Sequence, residues 1–252
     1  MAVDKDRKEK DELEERLDTI LLPIFAAYLS AYRRALQDGR PIPNGDFSLE
    51  DLKYSLSRHY KVTQERFRTR AFTSIDPVEF DAIASAKYQE LLDDWRENVS
   101  NERAAIISET NYIQGEETAS RAKEALLSEQ PTASPIEVSL LATALLKKKF
   151  DERRKIIAAT ETQAASESTK QLKVDAMEAS PRIVDAFVVV RRWNCSFENS
   201  RDTHMSADQQ RRPDNSPFNI GGSTLSYPGD PSGPAREVIN CNCWLTSEVI
   251  PL

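Results

Sequence analysis

The sequence predicts an α+β chain, with a mostly helical N-terminal part followed by a small, loop-rich α+β C-terminal module. Three observations carry that reading. Residues 1–180 hold only three glycines (Gly39, Gly45, Gly115) and are rich in Ala, Glu, Lys, Leu and Arg. Beyond Ser180-Pro181 there are four glycines and no lysine, and helical spacing gives way to the β-branched and aromatic run Phe187-Val-Val-Val-Arg-Arg-Trp193. From Leu225 to Cys243, three prolines and two glycines forbid a helix, because proline removes backbone donors and glycine favours turns. The predicted division is a helical region over 1–130, a long helical connection over 131–180 and the module over 181–252.

Along residues 4–38, Leu13, Leu17, Ile20, Leu21, Ile24, Phe25, Tyr28, Leu29, Tyr32 and Leu36 recur at mainly three- and four-residue steps, which specifies an amphipathic helix. Pro23 lies inside it and predicts a kink or break, and Gly39, Pro41 and Pro43 end it. Ser48-Leu-Glu-Asp51 resembles a capping box that opens a second helix reaching about Tyr60. Asp76-Pro77 marks a third start, with a helical pattern to about Trp95, and residues 101–128 continue in the same style. Gln130-Pro131 interrupts, and Ser134-Pro135 restarts a helix through 179. Strands are expected at 187–193, around 225–227 and at 244–250.

A formal charge of −7 and a pI near 5.1 weigh against a dedicated nucleic-acid binder, which needs a basic face. The charged start Met-Ala-Val-Asp-Lys-Asp-Arg lacks the basic-then-apolar pattern of a secretory signal. No stretch approaches the roughly 20 apolar residues of a membrane span, so a soluble chain without a membrane partner is expected. Three cysteines, two of them one residue apart, suit free or metal-bound thiols made in a reducing compartment better than a disulfide framework.

Cys195, His204, Cys241 and Cys243 are the soft and imidazole ligands of the module, and four is the count of a closed structural zinc site. Such a clamp would tie the strand end at Cys195 to the far end of the Pro/Gly-rich loop. Cys-x-Cys allows less geometric freedom than Cys-x-x-Cys, and the competing reading has Cys241 and Cys243 alternating across a strand, one of them buried as a small hydrophobe. Asp202 could orient the imidazole or simply cap a turn. His59 reads as an ordinary helix residue. The zinc-deaminase, phosphate-loop and nucleophile-elbow patterns are missing from the sequence. A zinc-dependent hydrolase using His204, Cys241, Cys243 and a water remains a third reading, as does a cysteine–histidine nucleophile pair. The run Lys147-Lys148-Lys149-Phe-Asp-Glu-Arg153-Arg154-Lys155 carries six cations against two anions. It reads as a solvated helix face or, alternatively, as a contact to DNA or to an acidic partner.

Taken in order, Ala159-Thr-Glu-Thr-Gln163, Arg192-Trp193, Asn199-Ser-Arg-Asp-Thr-His204, Pro217-Phe218, Leu225-Ser-Tyr-Pro-Gly-Asp-Pro231 and Val238-Ile-Asn-Cys-Asn-Cys243 form a series. This series resembles the Mu F-like minor head proteins of tailed bacteriophages, over roughly residues 155–248. Two departures stand out. Ala207-Asp208-Gln209 replaces an Asp-Gly or Asn-Gly common in that family, which calls for a different turn conformation. Arg201-Asp-Thr-His204 replaces a Cys-x-x-Cys, so that His204 would stand for its second cysteine and Cys195 or Asp202 would complete any metal site. The resemblance implies a non-enzymatic minor capsid protein at the portal vertex, made in the bacterial host cytoplasm and acting in head assembly, DNA packaging or genome ejection. Its implied partners are the portal protein and the major capsid or scaffolding protein, with packaged DNA if the chain is an internal protein ejected with the genome.

Overall fold

The computed structural model describes residues 2–68, 82–197, 200–213 and 215–252. Four long helices dominate: α1 (Ala2–Gln37), α2 (Leu49–Phe67), α3 (Ala82–Glu129) and α4 (Pro135–Glu178). The remainder is α5 (Pro181–Val184), β1 (Phe187–Asn194), α6 (Asp202–Met205), β2 (Arg211–Arg212), β3 (Phe218–Ile220), β4 (Ser223–Leu225), α7 (Ala235–Val238) and β5 (Trp244–Pro251). The α+β class and the order of its two parts are as the sequence predicts. Among the described residues, no helix is long and apolar enough to cross a membrane. The Asp76-Pro77 start lies outside the described residues.

Several local expectations change. α1 runs without a break through Pro23. Pro23 and Thr19, whose carbonyl loses its partner, both lie on the exposed side of the helix, where the freed carbonyl is open to solvent. Ser48 closes no capping box: a 3-10 turn over Gly45–Ser48 feeds α2, and the buried Ser48 hydroxyl finds no partner among the described residues. The capping box forms instead at Ser134. Its amide and hydroxyl donate to Glu137 Oε2 at 2.7 and 2.8 Å, and the Glu137 amide donates back to Ser134 Oγ at 3.3 Å. The segments read separately before Trp95 and after residue 101 form one helix, α3, since no Gly or Pro separates them.

Packing sorts the chain into two units, each drawn from separate stretches. Position 130 falls inside one and position 180 inside the other, although each coincides with a helix end. The unit of residues 14–58 and 98–158 is wholly helical. Its core holds Leu17, Leu21, Phe25, Tyr28, Tyr32 and Phe150, with Phe25 and Phe150 edge to face at 4.9 Å.

The other unit, residues 1–13, 59–97 and 159–252, carries the strands. An antiparallel sheet in the order β2-β1-β5 pairs Val189 with Val249 and Trp193 with Leu245. β3 and β4 form a hairpin turned by Gly221-Gly222, both at positive φ, as a two-residue turn of this kind requires. α4 is buried on every side from Thr160 to Leu172. Its alanines, serines and threonines let neighbouring segments approach closely, and its long polar side chains hold them. Beside it, Trp193, Phe218, Leu225, Tyr227, Val238 and Leu245 form the module's apolar core with the three cysteines.

Candidate functional site

The site begins with two local backbone solutions. After α7 the chain turns at Asn240, which adopts a left-handed φ of 54°, a conformation asparagine tolerates better than most residues. That turn carries Cys241 and Cys243 into the core, with 2 % and 0 % exposure. Neither lies in a strand, because β5 starts only at Trp244, so the alternating-strand reading does not hold. α6, started by Arg201 in extended conformation, turns the buried His204 toward them with its ring edge against Trp193 at 5.7 Å.

His204 Nδ1 lies 3.3 Å from Cys243 Sγ and 3.7 Å from Cys241 Sγ, and one ligand atom from each residue falls within 4.8 Å of the other two. These three residues form a possible metal-binding group. Cys195, at the end of β1, is also buried and acts electrostatically on the Cys243 thiol, but it stands outside that closest group. The thiols differ in acidity. The Cys243 thiol and then His204 hold Cys241 well below the usual thiol range against the opposing effect of burial. Cys241 and burial push Cys243 upward, and Cys195 adds to the effect.

On the far side of the imidazole is a residue that sequence reasoning missed. Glu237 Oε2 lies 3.2 Å from His204 Nε2, an ion-pair distance without an aligned hydrogen bond. Thr203 Oγ1 donates to the same carboxylate oxygen at 2.9 Å. Asp202, the carboxylate suspected from sequence, is exposed. Two residues along a helix are about 200° apart, so Asp202 and His204 face nearly opposite ways.

The motif residues upstream form the floor of the site. Thr160 Oγ1 accepts from the Asn240 amide at 3.3 Å, Glu161 Oε2 accepts from the Tyr60 hydroxyl at 2.6 Å, and Thr162 Oγ1 meets His59 Nε2 at 3.0 Å. His59 is therefore a fully buried bridge between helices. Gln163 Nε2 donates to the Cys243 carbonyl at 2.5 Å, while Glu167, one turn on, accepts from the Leu245 amide at 2.8 Å. Lys10 donates to both, at 2.7 Å to Gln163 and 2.8 Å to Glu167. Tyr227-Pro-Gly-Asp230 is a turn closed by the Asp230 amide on the Tyr227 carbonyl, with Gly229 at φ 79°. Asp230 then accepts from the Ser226 and Ser232 amides. The Arg201 guanidinium donates to the Ile239 carbonyl. The different turn conformation expected at Ala207-Asp208-Gln209 is not found, since Gln209 takes a φ of 61°, in the left-handed region that favours glycine. Asn199 lies outside the described residues.

The basic run does not form one face. Lys147, Lys148 and Lys155 are exposed, and Lys147 pairs with Asp151 at 2.7 Å. Lys149 turns to Thr118 and Arg153 to Asn111, with burial holding Arg153 below its usual acidity range. Arg154, 8 % exposed, is held by Asp18 and Asp151. No protein-family model, curated protein or solved structure matches the chain.

Proposed function

We propose that this chain is a Mu F-like minor head protein of a tailed bacteriophage: a non-enzymatic virion component at the portal vertex, acting in head assembly, DNA packaging or genome ejection. One observation carries the reading. The pieces of the ordered motif series, scattered from Thr160 to Cys243, meet in one network: Thr160 on Asn240, Gln163 on Cys243, Arg201 on Ile239 and His204 on both sulfurs. That residues so far apart in sequence interlock supports reading the series as one structural module.

The module is read as pinned by a structural zinc ion held by His204, Cys241 and Cys243, with Cys195 the nearby thiol to complete the set. The donors fit the ion. Zinc bonds to sulfur and nitrogen imply a ligand-to-ligand edge of about 3.6 Å in a tetrahedron, and the His204–cysteine separations of 3.3 and 3.7 Å bracket it. When bound, zinc would supply a cross-link between α6 and the Cys-x-Cys turn. The chain's own residues orient it: Gln163 fixes the Cys243 carbonyl, and Trp193 braces the imidazole. Burial favours a structural role over hydrolysis, because His204, Cys241, Cys243 and Glu237 are each 3 % exposed or less, whereas a catalytic zinc needs a coordination position open to substrate.

Co-expression of the full chain with the portal protein of the same phage tests the portal assignment. A stable complex on size-exclusion chromatography is expected. Complete separation of the two at micromolar concentration would contradict it.

A further inference from the structure

We propose that Glu237 is the positioning residue of the His204–Cys241–Cys243 centre, selecting the histidine tautomer that turns an unprotonated Nδ1 toward the sulfurs and so setting the affinity for zinc. The inference rests on the metal reading above and adds a residue to it.

The geometry places the imidazole between two unlike neighbours. Nδ1 faces Cys241 and Cys243 at 3.7 and 3.3 Å, while Nε2 faces the Glu237 carboxylate at 3.2 Å. The carboxylate stands beside Nε2 without an aligned hydrogen bond, and its negative charge favours a ring proton on that nitrogen, which leaves the Nδ1 lone pair for a metal. Carboxylates in this position also raise the basicity of a ligating imidazole.

The surroundings are built for a carboxylate. Glu237 is 3 % exposed, and burying this group is costly unless it is paired. Thr203, one residue before the ligand, donates to Oε2 at 2.9 Å, and Arg236 Nε stands 3.4 Å from Oε1. The hairpin turn leaves the space: a Cβ at Gly221 would lie 2.9 Å from Oε1 and 2.7 Å from the Thr203 methyl. A carboxylate, a hydroxyl and a side-chain-free turn thus meet behind His204, on the face away from the thiols.

The test uses the full chain with zinc as the probe, titrated in competition with a chromophoric chelator, on wild type, Glu237→Gln and Glu237→Ala. Circular dichroism establishes that each variant is folded, and the Gln variant, closest in shape, carries the test if the Ala variant is not. Zinc affinity is expected to fall about 10- to 100-fold in the variants, with Gln the milder, at an unchanged one zinc per chain. Nitrogen NMR of His204 in the metal-free chain supplies a readout that packing alone would not move. Relative to wild type, the Ala variant is expected to shift the ring proton from Nε2 toward Nδ1, where the Cys241 and Cys243 sulfurs compete for it. Folded variants with wild-type affinity and the wild-type tautomer would overturn the role of Glu237 while leaving the metal reading intact. A wild-type chain that takes up no zinc would overturn both.

Discussion

Cys243 faces two ways: its sulfur meets His204 Nδ1, while its carbonyl receives the Gln163 amide. Serine at 243 keeps the backbone contact but loses a soft ligand, so the two roles separate. Cys243→Ser is expected to lower the unfolding free energy by about 3 kcal/mol or more, at or above the top of the usual range for a point substitution, because loss of a metal or a buried network is among the large-effect mechanisms. Zinc should raise the urea midpoint of wild type and not that of the variant. Equal midpoints for the two proteins with zinc present would show the thiol to be dispensable. The possible metal-binding group was legible in the sequence because soft donors are scarce in this chain and four candidates stand in its C-terminal quarter, of which His204, Cys241 and Cys243 form the closest group and Cys195 stands outside it. Glu237 was not, since carboxylates are common and its meeting with His204 depends on the room left by Gly221. The basic run was misleading for a related reason: a cation count does not reveal that Arg153 and Arg154 turn inward to Asn111 and Asp18.

At the scale of elements, α4 is the part that sequence periodicity describes least well. Its positions 160–172 are buried on all sides although they include Glu161, Glu167 and Lys170, which an amphipathic reading would place in water. Lys170 pairs with Glu167 one turn away, while Glu161 and Glu167 are held by Tyr60, Lys10 and the Leu245 amide, partners distant in sequence that leave no periodic trace. The strands at 187–193 and 244–250 were legible, because β-branched runs act locally, whereas the one expected around 225–227 lies instead at Ser223–Leu225 and neither β2 nor β3 was expected. Close packing of the Pro228-Gly229 turn on α4 gives a paired prediction. A Cβ at Gly229 would lie 2.9 Å from Gln163 Cγ, whereas one at Gly222 would meet nothing within 4 Å, and both glycines have positive φ. Gly222→Ala should therefore cost only the left-handed strain of about 1–2 kcal/mol, and Gly229→Ala clearly more. Thermal unfolding of both variants checks this, and equal losses would mean that the turn does not bear on the helix as described.

At the scale of the whole molecule, the buried charges predict how stability follows pH. Burial alone would raise the Glu167 pKa, but Lys10, Lys170 and the Leu245 amide together hold it below its usual value of 4.5. The unfolded chain therefore takes up this proton first on acidification. Stability from Glu167 is complete above the unfolded value and is lost as pH falls through the lower, folded one. Lys170, held below 10.5 chiefly by burial, adds a rise in stability as pH climbs between its folded and unfolded values. Urea midpoints of wild type and Glu167→Gln should converge on acidification, and a constant gap between them would contradict the assignment. This clamp joins residue 10 to the chain just beyond the Cys-x-Cys turn. The central claim, membership of the virion, is tested most directly by quantitative mass spectrometry of purified particles of the encoding phage. The account predicts this chain in a few copies per particle; its complete lack from mature particles and procapsids would contradict it.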